Sequence, residues 1–298
     1  MALKFGIAGI ALSLILAACK PTVAVTLPAP EFKTFTDWCL NREKLSPAVK
    51  HTVEVLLEYV DTSDCKQANH ELTERIAFYL TGTKINDIRP LQSLINLEVL
   101  YLGGNEISDI SPLRSLNKLS LLDLGDNQIS NVSPLKSLVK LETLSLRNNL
   151  VDDIKPLQSL IHLRSLTLDQ NRVSDISPLK SLLNLRSLYL DQNQVSDLNP
   201  LKPLVKLGLL SLQKNKVSDL APLKSLFDLS ILDLGQNQVS DLRPLQSLMK
   251  LRTLSLAQNK VSDLRPLRSI PSLDFVALQG NPIANKVCPL RSPSVCQF

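Results

Sequence analysis

The sequence predicts an α/β solenoid. Stacked coils each give one strand to a single concave parallel β-sheet, with 3-10 or short helical turns on the convex side and a helical cap over the N-terminal end. Asparagine recurs at Asn105, Asn127, Asn149, Asn171, Asn193, Asn215, Asn237, Asn259 and Asn281, always 22 residues apart. Around each, the pattern LxxLxxLxLxxNxISDIxPL returns in phase, and one unit reads Leu94, Leu97, Leu100, Leu102, Asn105, Ile107, Ile110, Leu113. A fixed period of this length marks a repeat architecture, and chance does not hold nine copies in register. The 298 residues would suit two average domains, but the period runs through most of them. With 44% hydrophobic and 20% charged residues, the chain is not a disordered one.

Each part of a coil follows from the pattern. Leu100 and Leu102 alternate as in a strand, so both side chains face the same way. Leu94 and Leu97 are three apart, the spacing of a helical or 3-10 turn. A lone coil cannot hide its apolar positions, so neighbours have to stack, with strands pairing in parallel about 4.8 Å apart. Where the chain turns inward after each strand, backbone groups are left away from water. The asparagine amide, with two donors and an acceptor, is expected to satisfy groups on its own coil and the next. Nine in register leave no room for a catalytic reading. An earlier partial copy through Phe78, Leu80, Ile85, Ile88 and Leu91 has Thr83 in the asparagine place.

A second column holds Asp87, Asp109, Asp153, Asp175, Asp197, Asp219, Asp241 and Asp263, with Asn131 in the remaining coil. A calcium ladder would want the charge at every step, and Asn131 keeps the oxygen without it. The column therefore reads as turn caps, with serine beside it as a second acceptor, and no metal is expected. Pro112 and its equivalents open the outer turn, where φ is already suitable and an N–H is dispensable.

At the N-terminus, Lys4 precedes an apolar run from Phe5 to Leu16, of signal-peptide length and too short to span a bilayer. Leu16-Ala17-Ala18-Cys19 follows and resembles a bacterial lipobox. The resemblance implies removal of residues 1–18 and acylation of Cys19; an ordinary secretory signal with an incidental cysteine is the alternative. Cleavage takes away one lysine and no acid, moving the net charge from +5 to +4. Residues 19–36, with Pro21, Pro28 and Pro30, are expected to form a tether.

Caps are needed at both ends of a stack. Ser46-Pro47 opens an expected helix through Val49, Val53, Leu56, Leu57 and Val60, with Trp38 beneath it, and a second is expected from about Asp64 to Arg75. Residues 37–75 are thus a helical N-terminal cap, and residues 286–298 a smaller C-terminal one. Setting Cys19 aside leaves Cys39 and Cys65 at one end and Cys288 and Cys296 at the other. In an exported chain each pair is expected to form a disulfide, free buried thiols being the alternative.

The repeats over residues 76–285 resemble leucine-rich repeats, closest to the 22-residue class of the internalins. The resemblance implies a curved horseshoe whose concave sheet binds other molecules, usually proteins. No internalin-type cell-wall sorting signal is seen at Cys296-Gln297-Phe298. The lipobox is the expected anchor instead, placing the protein on the bacterial cell envelope, facing the periplasm or the exterior.

Function has to lie in what varies from coil to coil. Among positions flanking the strand leucines, the candidate protein-binding residues are Tyr101, Asp123, Arg147, Asp169, Tyr189, Asp191, Asp233 and Phe275. The tyrosines bring contact area and a hydroxyl at low entropic cost, and the charges set polarity. On the outer side Arg114, Lys136, Lys180, Lys202, Lys224 and Arg268 share one column, while Lys118, Lys140, Lys206 and Lys250 share a nearby one. The alternative reading is therefore an envelope-structural or polysaccharide-associating protein with a polyanion contact on this basic convex face. A solvated face, its charges spaced by Gln92, Gln158 and Gln246, is the simpler account. With 9 glycines, 7 Phe, 4 Tyr and 1 Trp, the chain is poor in phosphate-loop and base-stacking material. It contains no GxSxG, HExxH or Walker loop. The expectation is a non-catalytic, lipid-anchored protein with no cofactor and no nucleic acid, recognising a protein partner through its concave sheet.

Overall fold

Among the described residues eleven strands run in chain order, from β1 (Ala77–Tyr79) and β2 (Val99–Tyr101) to β10 (Phe275–Ala277) and β11 (Cys296–Gln297), in one all-parallel sheet. The computed structural model describes Met1 and residues 32–298. The expected signal segment, Cys19 and residues 19–31 of the expected tether lie outside the described residues. Register reproduces the sequence period: Val99 pairs with Leu121, Leu100 with Leu122, Tyr101 with Asp123. The apolar positions are sealed, with Leu97, Leu100, Leu102, Ile107 and Leu113 all at 0% exposure. A 3-10 helix such as Ser111–Ser115, with Pro112 in its first turn, forms the opposite side of each coil.

The asparagine ladder reaches back, not forward. Asn193 Nδ2 donates to the Leu190 carbonyl of its own coil at 3.1 Å and to Leu168 O of the preceding coil at 2.9 Å. Its Oδ1 accepts the Val173 N–H, also of the preceding coil, at 2.9 Å. The expected link to the next coil is thus corrected in direction. This explains Thr83: the first coil has no predecessor, so a hydroxyl donating to its own Leu80 O at 2.9 Å is enough.

The aspartate column caps turns, as its geometry shows. Asp175 Oδ1 accepts the Ser177 N–H at 2.8 Å, and Asn131 does the same for Ser133 at 3.0 Å. The adjoining serine is a donor here, since Ser177 Oγ gives its proton to Asp175 Oδ2 at 3.0 Å. A serine column further along each 3-10 helix adds another tie. Ser181 Oγ, for instance, donates to Gln158 O one coil back at 2.9 Å.

Among the described residues three helices close the N-terminal end of the stack: α1 (Phe35–Leu40), α2 (Pro47–Tyr59) and α3 (Cys65–Glu74). The last two match the expected helices; α1 was not foreseen and starts within the stretch read as tether. Thr34 and Asp37 form a capping box that starts it. Trp38 lies on α1 itself, buried against Phe32 with ring centroids 4.6 Å apart. Thr52 Oγ1 donates to Asp87 O at 2.7 Å, joining α2 to the first coil. Cys39 is bonded to Cys65 and Cys288 to Cys296. The C-terminal segment does more than form a loop, because β11 pairs with β10 and covers the sheet edge.

Replacing Asn193 with Ala leaves the Val173 N–H without its partner, while Leu168 O and Leu190 O each keep a second amide donor, from Asn171 and Asn215. An unpaired buried group costs roughly 1–3 kcal/mol, so Asn193→Ala is expected to lose that much in urea unfolding. A loss below about 1 kcal/mol would show the amide to be dispensable.

Candidate binding face on the concave sheet

Because successive side chains in a strand alternate, residues 99 and 101 of β2 and their equivalents point away from the leucine core. They form the concave surface together with the column two residues further on, which holds Arg147, Asp169 and Asp191, and the candidate residues fall on it in three groups. At the N-terminal end Tyr101 stacks on Tyr79 of β1, ring centroids 5.2 Å apart and planes 14° apart, with Asp123 paired beside Tyr101. In the middle stand Arg147, Asp169 and Asp191, in successive coils of one column, with Tyr189 two residues before Asp191. At the C-terminal end are Asp233 and Phe275, the latter 43% exposed. From β2 to β10 is eight strand steps, roughly 38 Å, so the eight residues do not converge on one spot.

Two residues complete these groups and were not among the candidates. Tyr79 is 62% exposed and lies in the partial first coil, where Thr83 holds the asparagine place. Ile231, 40% exposed, lies in the strand Ile231–Asp233 and extends the apolar C-terminal group. Both sit at the column positions that define the face, so the 22-residue register alone would have found them.

The aspartates differ in how far the scaffold already uses them. Asp123 Oδ1 accepts the Gly125 N–H at 3.0 Å, and Asp233 Oδ1 that of Gly235 at 2.8 Å. Asp169 Oδ1 accepts the Asp191 N–H of the next coil at 2.7 Å. Asp191 Oδ1 in turn accepts from Ser211 Oγ at 2.6 Å and from the Gln213 N–H at 2.7 Å. Arg147 stays exposed. Burial pushes the Asp169 carboxyl up to about 6, with the Asp191 charge adding to the rise, against the pull of the Asp191 N–H and Arg147. Burial also raises Asp191, against the hydrogen bonds from Ser211 and Gln213. The middle of the face is thus an acidic strip whose charge falls in mildly acidic solution. Among the described residues no group of His, Cys, Asp and Glu is placed to hold a metal ion.

The sequence matches the family model for leucine-rich repeats (two copies) at residues 78–115, 117–159 and 161–203. A search of curated proteins gave no match. Among solved structures, internalin C2 of Listeria monocytogenes is similar at 30% identity and a TM-score of 0.61, over 78% of this chain and 92% of that one. An internalin of the same species, InlF, is similar at 29% identity and a TM-score of 0.56, over 78% of this chain and 82% of that one. A leucine-rich-repeat protein of Leptospira interrogans shares the fold at 23% identity and a TM-score of 0.59, over 74% of this chain and 70% of that one.

The raised Asp169 has a consequence for stability. The folded state holds its proton up to about pH 6, whereas the unfolded chain releases it near 4. Its contribution is therefore most favourable below about pH 4 and is lost as pH rises through about 6. Asp169→Asn keeps an oxygen for the Asp191 N–H and removes the charge. It is expected to melt at a higher temperature than the parent at about pH 7.5, the gap shrinking toward pH 4. A gap that does not change with pH would remove the burial argument.

Proposed function

The chain belongs to the internalin-like leucine-rich-repeat proteins, and on that premise we propose that it is a non-catalytic binding protein of the bacterial cell envelope, recognising a protein partner through its concave sheet. The single observation that carries this reading is the stacked pair Tyr79–Tyr101 held in the open on the concave face, with Tyr79 62% exposed. Tyrosine has apolar area to bury and a hydroxyl to bond, and a pre-stacked pair loses little freedom on binding. The acidic strip and the Ile231–Phe275 end supply polarity and a second apolar contact along the same sheet. The long span of the face suits a macromolecule better than a small ligand, which would need a concave pocket to enclose it.

The anchor in this proposal is a lipid on Cys19, as the lipobox-like Leu16-Ala17-Ala18-Cys19 implies. Disulfides at both ends of the solenoid support export to an oxidising compartment. Among the described residues no helix is long and apolar enough to cross a membrane.

The double change Tyr79→Ala, Tyr101→Ala tests the concave site. In cross-linking of envelope partners it is expected to lower capture by about tenfold or more, with an unchanged melting temperature. Undiminished capture by a folded double variant would refute the site.

A further inference from the structure

An apolar row lies off the concave face. In six consecutive coils the residue after the turn leucine is Val139, Ile161, Leu183, Val205, Phe227 and Met249. All six are on the surface, 46% to 58% exposed, in the turn that leads from each 3-10 helix toward the next strand. Coils repeat about every 5 Å, so the row is a continuous ridge roughly 25 Å long. Hydrogen bonds between coils hold it in register: Asn184 Nδ2 donates to Ile161 O at 3.0 Å, and Lys206 Nζ to Asn184 Oδ1 at 2.8 Å. The ridge adds nothing to the stack, because Leu182 and Leu185 on either side of Leu183 already fill the core at 0% exposure. A contiguous exposed apolar strip of this kind marks an interaction surface.

The charges beside the ridge say what fits it. Three residues before the ridge stand Lys180, Lys202 and Lys224, and the residue after it is Lys140, Lys206 or Lys250 in three of the coils. Counting Lys136 as well, these two columns hold seven lysines against one acid in the six coils, Asp228, which Lys250 meets at 2.7 Å. A second copy of the chain would bring like charges together across the ridge. A surface that is apolar below and anionic above has the matching order.

We propose that this ridge docks on an anionic phospholipid bilayer. The apolar side chains enter the boundary between headgroups and acyl chains, and the flanking lysines meet the phosphates. The ridge shares no residue with the concave columns, so a docked molecule keeps its sheet free for a partner. The inference depends neither on the partner-binding role nor on a lipid at Cys19, and it is tested apart from both.

The full chain carrying Phe227→Trp is mixed with vesicles of phosphatidylcholine, with or without phosphatidylglycerol, whose acyl chains are brominated. The native Trp38 is 5% exposed and supplies a constant background. The introduced indole is expected to lose about half its emission or more on the anionic vesicles, and little on phosphatidylcholine alone. Salt at about 0.5 M, where the screening length is roughly 4 Å, is expected to restore most of it. Phe275→Trp on the concave face is expected to stay unquenched. Met249→Trp serves as a second ridge probe if the first variant folds poorly. Chain that sediments with vesicles while both ridge probes stay bright is held by another segment, and the proposal fails. It fails equally if quenching ignores lipid charge, or if the ridge probe shifts without vesicles as the solution mass doubles, which would mean that a second copy covers the row.

Discussion

In each coil after the first, one amide group provides hydrogen bonds to backbone groups that water does not reach, and the stack rests on that exchange. A strand three residues long has little to hold it alone. Its leucines leave water only against the next coil, and the turn at its end has to be buried for that to happen. The ladder from Asn105 to Asn281 makes this burial tolerable, because each amide binds its own coil and the one before it. The same turn holds one residue in the left-handed region, Gly104 at φ 66° and in later coils residues such as Gln170 and Gln192 at 56°. Such a backbone is strained for residues other than glycine, and its repetition shows how strongly the stack dictates the turn.

Once the interior is so uniform, individuality is confined to the surface. The concave sheet offers side chains that change from strand to strand, with aromatic, acidic and apolar groups along its length. The outer turns repeat much the same chemistry, with lysine beside the apolar residue in five of the six coils. A varied face is suited to one shaped partner, and a repetitive one to an extended surface without fine shape. The two can act together because no residue belongs to both.

Periodicity made the solenoid, the parallel register and the buried leucines legible, since each is a property of residue type at fixed spacing; the paired cysteines were legible from their place at the two ends of the repeats and the expected export. Helix α1 escaped because it is only six residues long and apolar spacing barely registers over so short a span; the Thr34–Asp37 box was its one local sign. The direction of the asparagine bonds was hidden because an amide can face either neighbour, and only the backbone decides. Tyr79 and Ile231 hold concave column positions by register, Tyr79 in the irregular first coil, but how far each stands exposed is set by the fold alone. The ridge from Val139 to Met249 was in plain view in the sequence. It went unread because apolar residues next to core leucines are indistinguishable from core until exposure is known.

The account stands on the claim that the 22-residue coil is the cooperative unit, stable only through contact with its neighbours. Removing one whole period, residues 172–193, and separately removing half a period tests this most directly, with circular dichroism and urea unfolding as the readings. The account predicts that the whole-period deletion restores register, keeps the parent spectrum per residue and unfolds in one transition with a smaller denaturant slope. The half-period deletion is predicted to lose cooperativity. Equal damage from both deletions, or equal tolerance of both, would contradict it.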